Sequence, residues 1–300
     1  MRGGSWMLGV GSWVALGAFR GLVALFRLTP FPLLYLLSDG FAFLLHDLVR
    51  YRRKVVEANL ERSFPEKSAV EIARIRRAFY RNLSDIVLEG IKGISMPKEE
   101  VLRRYRFVDT VVVDRLFAEG RHVFAMSAHY GNWEWGVLSY PLQVPHEVVG
   151  IYKPIRHPRI GPYMDRRRSR FGLQLAPYYT TKTTLSEPPE TPTLYIMMSD
   201  QSPSSGRKAQ WVRFLGQDTD CLHGTDHYAR QNGYAVVFMD VQRVRRGYYE
   251  IRFSELCLDP RQAAEGEITQ RYMQRLEAIV RAKPEDWLWS HRRWKRGKGV

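Results

Sequence analysis

At 300 residues, 45% of them hydrophobic, the chain is long enough to bury a substantial core as one large domain or two small ones. Its two cysteines, Cys221 and Cys257, form no CxxC pair, which argues against a disulfide framework and a four-cysteine zinc site and for a reducing compartment. The formal net charge of +15, from 46 Lys and Arg against 31 Asp and Glu, excludes no anionic partner: nucleic acid, acidic headgroups and an acidic carrier protein all fit.

From Trp6 to Leu45 the chain is apolar and helix-prone, and Pro30 and Pro32 divide it into two helices. Arg20 and Arg27 share one face of the first, and Asp39, His46 and Arg50 recur at helical spacing in the second, so both are amphipathic. A span needs about 20 apolar residues, and the run before Arg20 is shorter. A helical hairpin lying partly in the membrane is therefore expected over a single span, in which Arg27 would have to snorkel. A cleaved signal peptide is disfavoured, since the apolar character continues past any small-residue cleavage site. Tyr51, Arg52, Arg53 and Lys54 follow at once and would meet anionic headgroups on the cytoplasmic side. Residues 1–50 thus read as a membrane-anchoring segment and 51–300 as one catalytic domain.

Val55 to Ile94 is helical in pattern, with Ile72, Ile75, Phe79, Leu83, Ile86 and Leu88 spaced three or four apart and a break at Ser63-Phe64-Pro65. Strand-like runs follow at His122 to Ser127, Glu147 to Tyr152, Thr193 to Met198, Ala235 to Val241 and Tyr249 to Phe253. Helical stretches lie at Ile160 to Arg170, Thr225 to Asn232 and Glu267 to Ala282, which predicts an α/β fold with a mostly parallel central sheet flanked by helices. Leu185 to Pro192 and Ser202 to Lys208 read as surface loops.

The chemistry concentrates in Val123 to Gly136, VFAMSAHYGNWEWG. An apolar strand leads to a turn holding His129 and Gly131, and Asn132 is a good N-cap for the helix after it. His129 then sits at the carboxyl end of a strand, where open α/β sheets bind ligands. With the histidine in the turn and Glu134 in the first helical turn, the carboxylate can curl back to one imidazole nitrogen, making a base and its orienter. A substrate that brings its own hydroxyl needs no protein nucleophile.

This His-x4-Glu segment resembles the motif of the lysophospholipid acyltransferase superfamily, and His-Tyr-Gly-Asn-Trp-Glu resembles its lipid A late-acyltransferase branch. Four further blocks are similar in order: Arg52-Lys54-Val55-Val56 with Asn59-Leu60 and Phe64-Pro65; Tyr152-Lys153-Pro154 with Arg168 and Arg170-Phe171-Gly172; Asp200-Gln201; and Trp287-Leu288-Trp289 with His291-Arg292-Arg293-Trp294. Phe214-Leu215-Gly216, then Thr219, Cys221-Leu222-His223 and Gly224, depart from the branch's Phe-Phe-Gly and threonine pattern.

The resemblance implies transfer of a lauroyl- or myristoyl-type group from acyl carrier protein, or coenzyme A, to a hydroxyl of a phosphorylated glycolipid at the cytoplasmic face of the inner membrane. No cofactor is implied. His129 and Glu134 would form the catalytic dyad, and Arg168, Arg170, Asp200 and Asn132 the substrate and oxyanion contacts, beside Arg166 and Arg167. The same chemistry on a lysophospholipid, an aminolipid or a phosphatidylinositol mannoside is the alternative. Cys221, His223 and His227 read as a helix opening rather than a metal site, because no fourth ligand accompanies them. The C-terminal tryptophans either seat a basic face on the membrane or pack the tail onto the fold. A nucleic-acid-binding protein would leave the apolar N-terminus unexplained and lacks a recognition motif.

Overall fold

The computed structural model describes residues 3–187, 189–204 and 209–296, with side chains from residue 11 onward. Part of the expected Ser202 to Lys208 loop, and Pro188 of the other, lie outside the described residues.

The strands are β1 (Tyr105–Asp109), β2 (Val123–Ser127), β3 (Glu147–Tyr152), β4 (Gln174–Pro177), β5 (Thr193–Met198), β6 (Gln210–Phe214), β7 (Gln217–Cys221), β8 (Ala235–Arg245) and β9 (Tyr248–Cys257). Seven of them form one sheet in the order β1-β9-β8-β2-β5-β3-β4, parallel throughout except for the β8–β9 hairpin. The helices are α1 (Gly3–Leu28), α2 (Phe31–Phe43), α3 (Arg53–Ser63), α4 (Ala69–Gly93), α5 (Lys98–Arg104), α6 (Val111–Ala118), α7 (Trp133–Ser139), α8 (Ile160–Arg168), α9 (Thr181–Ser186), α10 (Gly224–Asn232) and α11 (Glu267–Ala282).

β2 is buried along its whole length because β5 and β8 pair with its two edges and helices cover both faces, which is why it is a continuous apolar run. Its alternate side chains divide the core. Phe124 and Met126 pack with α3, α4, α10 and α11, whereas Val123 and Ala125 pack with α5, α6 and α7. The Ser63-Phe64-Pro65 break separates α3 from α4, whose start is fixed by a capping box between Ser68 and Glu71.

In the apolar N-terminal segment only Thr29-Pro30 interrupts the helices, because Pro32 falls in the first turn of α2, where no intrahelical donor is lost. A π-helical turn, Leu44–Leu48, continues α2, and Arg50 lies beyond it in a left-handed conformation. The helical stretches Gly11–Leu28 and Phe31–Leu48 are long and apolar enough to cross a membrane. The polar side of α2 is consumed by the rest of the fold: Ser38 Oγ donates to Asp85 (2.6 Å), and Tyr35 OH donates to Glu89 (2.9 Å). Leu34 is buried between Phe26 and Leu88. Leu33, Leu36, Leu37, Phe43, Leu44 and Leu48 remain exposed, so α2 lies along α4 with an apolar outer face. The Lys92 ammonium caps the end of α1 by donating to the carbonyls of Phe26, Arg27 and Thr29.

The β6–β7 hairpin escaped the sequence reading. Its two-residue turn, Leu215-Gly216, has positive φ at both positions (48° and 74°), the geometry that suits a tight hairpin, and the Leu215 amide is held by Glu277 (2.7 Å). The departure from the family pattern falls here. The hairpin receives the C-terminal segment: Arg293, fully buried, pairs with Asp220 and donates to Cys221, and Trp294 donates to Thr219. Trp287 and Trp289 are buried as well, so the tail packs onto the fold.

Candidate active site

β2 and β5 run parallel with Ser127 opposite Met198, and each strand delivers a polar residue two positions past its end. These are His129 and Asp200. His129 Nδ1 lies 2.8 Å from Asp200 Oδ1, while Asp200 Oδ2 accepts from the His129 amide (3.1 Å) and from Trp287 Nε1 (3.0 Å). The carboxylate is buried, with three donors around it. The partner of the histidine is therefore Asp200, and not Glu134 as the spacing suggested.

The turn is locked from behind. Gly131 donates its amide to Asp286 O (3.0 Å), and Leu288 donates to His129 O (3.1 Å), so residues 286–288 brace the loop like an added strand. Gly131 has φ +61°, and a β-carbon there would press on Val241 Cγ1 at 3.1 Å, which accounts for glycine at this position. Asn59 on α3 donates to the carbonyls of Trp289 and His291 (both 2.9 Å), and Phe64 packs its ring on Trp289. Two of the sequence blocks thus support each other rather than the substrate.

Burial opposes charging the His129 ring, but the Asp200 carboxylate, its hydrogen bond and the more distant Glu134 outweigh that and raise its pKa. Burial likewise opposes ionising Asp200, yet the imidazole, the Trp287 N–H and the His129 amide hold its pKa below the usual value. The pair is built to carry an imidazolium. With Nδ1 committed to Asp200, Nε2 is left with the Gln201 amide 3.4 Å away, and Trp133 packs its ring edge-on to the imidazole.

Glu134 lies in the first turn of α7 and accepts both bonds of a fork from Arg168 Nη2 (3.0 and 3.1 Å), both side chains being partly exposed. Arg168 closes α8, so this pair ties α7 to α8 beside the histidine. Arg170, expected as an anion contact, clamps backbone here: it donates to the carbonyls of Gly93, Met96 and Arg167, and burial pulls its pKa down to about 10. Asn132 is committed to the fold in the same way. Its side chain, fully buried, caps α7 through the Trp135 amide (2.9 Å) and donates to Glu89 (2.6 Å). Arg167 donates to Ile94 O. His223 faces Asp226 and Glu265 while Cys221 faces Arg293, and among the described residues no group of three such side chains is arranged to hold a metal ion.

Sequence reasoning missed Trp287 as a donor to Asp200, and with it the Asp200 role. The equal offsets of His129 and Asp200 from their strand ends were visible in the sequence, but that β2 and β5 are neighbours ending level, which brings the two together, was not.

The chain matches the family model described as bacterial lipid A biosynthesis acyltransferase over residues 8–296. It is 24% identical over 295 residues to a lipid A biosynthesis lauroyltransferase of Escherichia coli (strain K12), an alignment spanning 96% of this chain and 93% of that protein.

Proposed function

The chain belongs to the bacterial lipid A biosynthesis acyltransferase family and is an acyltransferase, and from that premise we propose that it moves a fatty acyl group from acyl carrier protein onto a hydroxyl of a phosphorylated lipid A precursor. One observation carries the chemistry. His129 Nδ1 is held by a buried carboxylate, which fixes the tautomer with Nε2 unprotonated and free to take a proton.

In the proposed step His129 Nε2 removes the proton from the acceptor hydroxyl as its oxygen attacks the thioester carbonyl. The C–O bond forms, the carbonyl becomes an oxyanion, and Asp200 stabilises the imidazolium. Collapse expels the carrier's thiolate, which takes the proton back from Nε2 and leaves as a thiol. Arg168 supplies positive charge beside this centre; an oxyanion donor of this kind is worth about 3 kcal/mol. Glu134 holds Arg168 in place instead of holding the imidazole, a reading supported by the fork between them.

The exposed apolar faces of α1 and α2 support seating on the inner membrane, with the active edge on the cytoplasmic side where carrier protein and precursor meet. The net charge of +15 supports attraction of both an acidic carrier and a phosphorylated acceptor, so transfer falls as salt rises. The test is transfer of a radiolabelled acyl group from carrier protein, or from coenzyme A, to a panel comprising lipid A precursor, lysophospholipid, aminolipid and phosphatidylinositol mannoside. Product on the precursor is expected. Product only on another acceptor would overturn the reading.

A further inference from the structure

On the β8 side of the His129 turn, at the same edge of the sheet, a cleft of about 310 Å³ opens between α4, the end of β8 and the residues after α11. Five cations line it, Arg81, Arg243, Arg245, Arg246 and Lys283, against three carboxylates, Asp85, Glu285 and Asp286. Its two buried carboxylates are already neutralised. Asp85 is held by Arg243 (2.5 Å) and Arg246 (2.7 Å), and Asp286 by Lys283 (2.7 Å). Arg246 also pairs with Asp39 (2.8 Å).

Two guanidiniums are weakly held. Arg81 is exposed, and its one carboxylate partner among the described residues is the half-exposed Asp39, at 3.5 Å. Arg245, also exposed, has no carboxylate partner among the described residues and stacks on the Tyr248 ring, 3.7 Å from its centroid. A basic lining in which Arg245 lacks a carboxylate partner and Arg81 holds one only loosely, beside pre-neutralised acids, suits a phosphate, whose oxygens accept forked N–H donors.

The position of the cleft ties it to both membrane and chemistry. Arg81 also lines two further hollows, of about 400 and 440 Å³, which run beside Arg77 and His46 to Phe43 on the apolar face of α2. At the other end the backbone carbonyl of Asp286 accepts from the amide of Gly131, two residues from His129. The hollows, where Arg74, Arg76, Arg77 and Arg81 face Asp39 and Asp47, lead from the exposed face of α2 toward the His129 turn.

We propose that this cleft is the subsite for a phosphate group on the lipid acceptor, with Arg81 and Arg245 as its contacts, a role that sets acceptor specificity. It rests on the reading of the acceptor as a phosphorylated glycolipid. The experiment compares wild type with Arg81→Ala, Arg245→Ala and the double variant, in neutral detergent micelles, using lipid A precursor and the same precursor after phosphatase treatment. The double variant should raise KM for the phosphorylated acceptor about tenfold or more, with kcat little changed and with no effect on the dephosphorylated one. Inorganic phosphate should compete in wild type and lose its effect in the double variant.

Equal KM changes for both acceptors, or none, would overturn the subsite. If KM in micelles is unchanged but sedimentation with phosphatidylglycerol vesicles is lost, the cleft binds bilayer headgroups and the proposal is wrong. Failure of wild type to acylate either precursor would instead sink the acceptor assignment. Arg245→Ala breaks no carboxylate contact, so a folded protein is available for the comparison even if Arg81→Ala disturbs Asp39.

Discussion

The His129–Asp200 pair and the Glu134–Arg168 pair stand at the same edge of the sheet, yet their surroundings differ. Asp200 is buried and accepts from three donors, one of them the Trp287 indole, so its charge and position are fixed before any substrate arrives. Glu134 and Arg168 meet in a partly exposed fork whose members belong to different helices, α7 and α8. A buried carboxylate governs protonation, whereas a pair in partial contact with solvent is screened more strongly. The spacing of His129 and Glu134 within one motif therefore does not mean that they act as one unit.

The largest effect that would test this contrast is His129→Ala, expected to cut kcat about a thousandfold or more while the circular dichroism spectrum is unchanged. Retained transfer in a folded variant would end the general-base mechanism. Asp200→Asn should come next, at about a hundredfold to a thousandfold in kcat, because the amide no longer fixes the tautomer. It also carries a sign. Asp200 raises the His129 pKa, so wild type should lose activity, as pH falls, at a pH above the ordinary histidine value of about 6.5, and the variant's acid limb should move lower. A limb that stays put would mean that another group is titrating.

Glu134→Gln should cost less, about tenfold to a hundredfold, and leave the acid limb nearly in place, since its influence on His129 is the weaker one. If it shifts the limb as far as Asp200→Asn does, the two pairs are one network and the distinction fails. Smallest of all in kcat is Asn59→Ala, which takes the side-chain donor from the Trp289 carbonyl and leaves the His291 carbonyl with the Arg293 amide. Chemical denaturation should show a loss of about 1–3 kcal/mol, with turnover per folded molecule preserved.

Much of this was legible in the sequence. β3, β5 and α11 begin and end where apolar runs and periodicity placed them, because buried parallel strands and amphipathic helices write their environment into composition. β1 and β4 were not legible. They are short edge strands with exposed positions, so no apolar run marks them. Of the site, His129 and the cap at Asn132 follow from local chemistry, whereas the partner of His129 depends on which strand lies beside β2, a long-range fact. Arg170 misled for a related reason: an arginine that caps carbonyls and one that binds an anion have the same sequence appearance, and only the neighbouring backbone separates them.

The bracing of the His129 turn by residues 286–288 has a consequence for the order of biosynthesis. Chains fold from the N-terminus as they are made. The apolar helices α1 and α2 emerge first and can reach the bilayer, while Asp200 gains its indole donor only after Trp287 has been added. On the proposed membrane seating, attachment would thus precede competence: the protein would meet its lipid surface before Asp200 has its last donor.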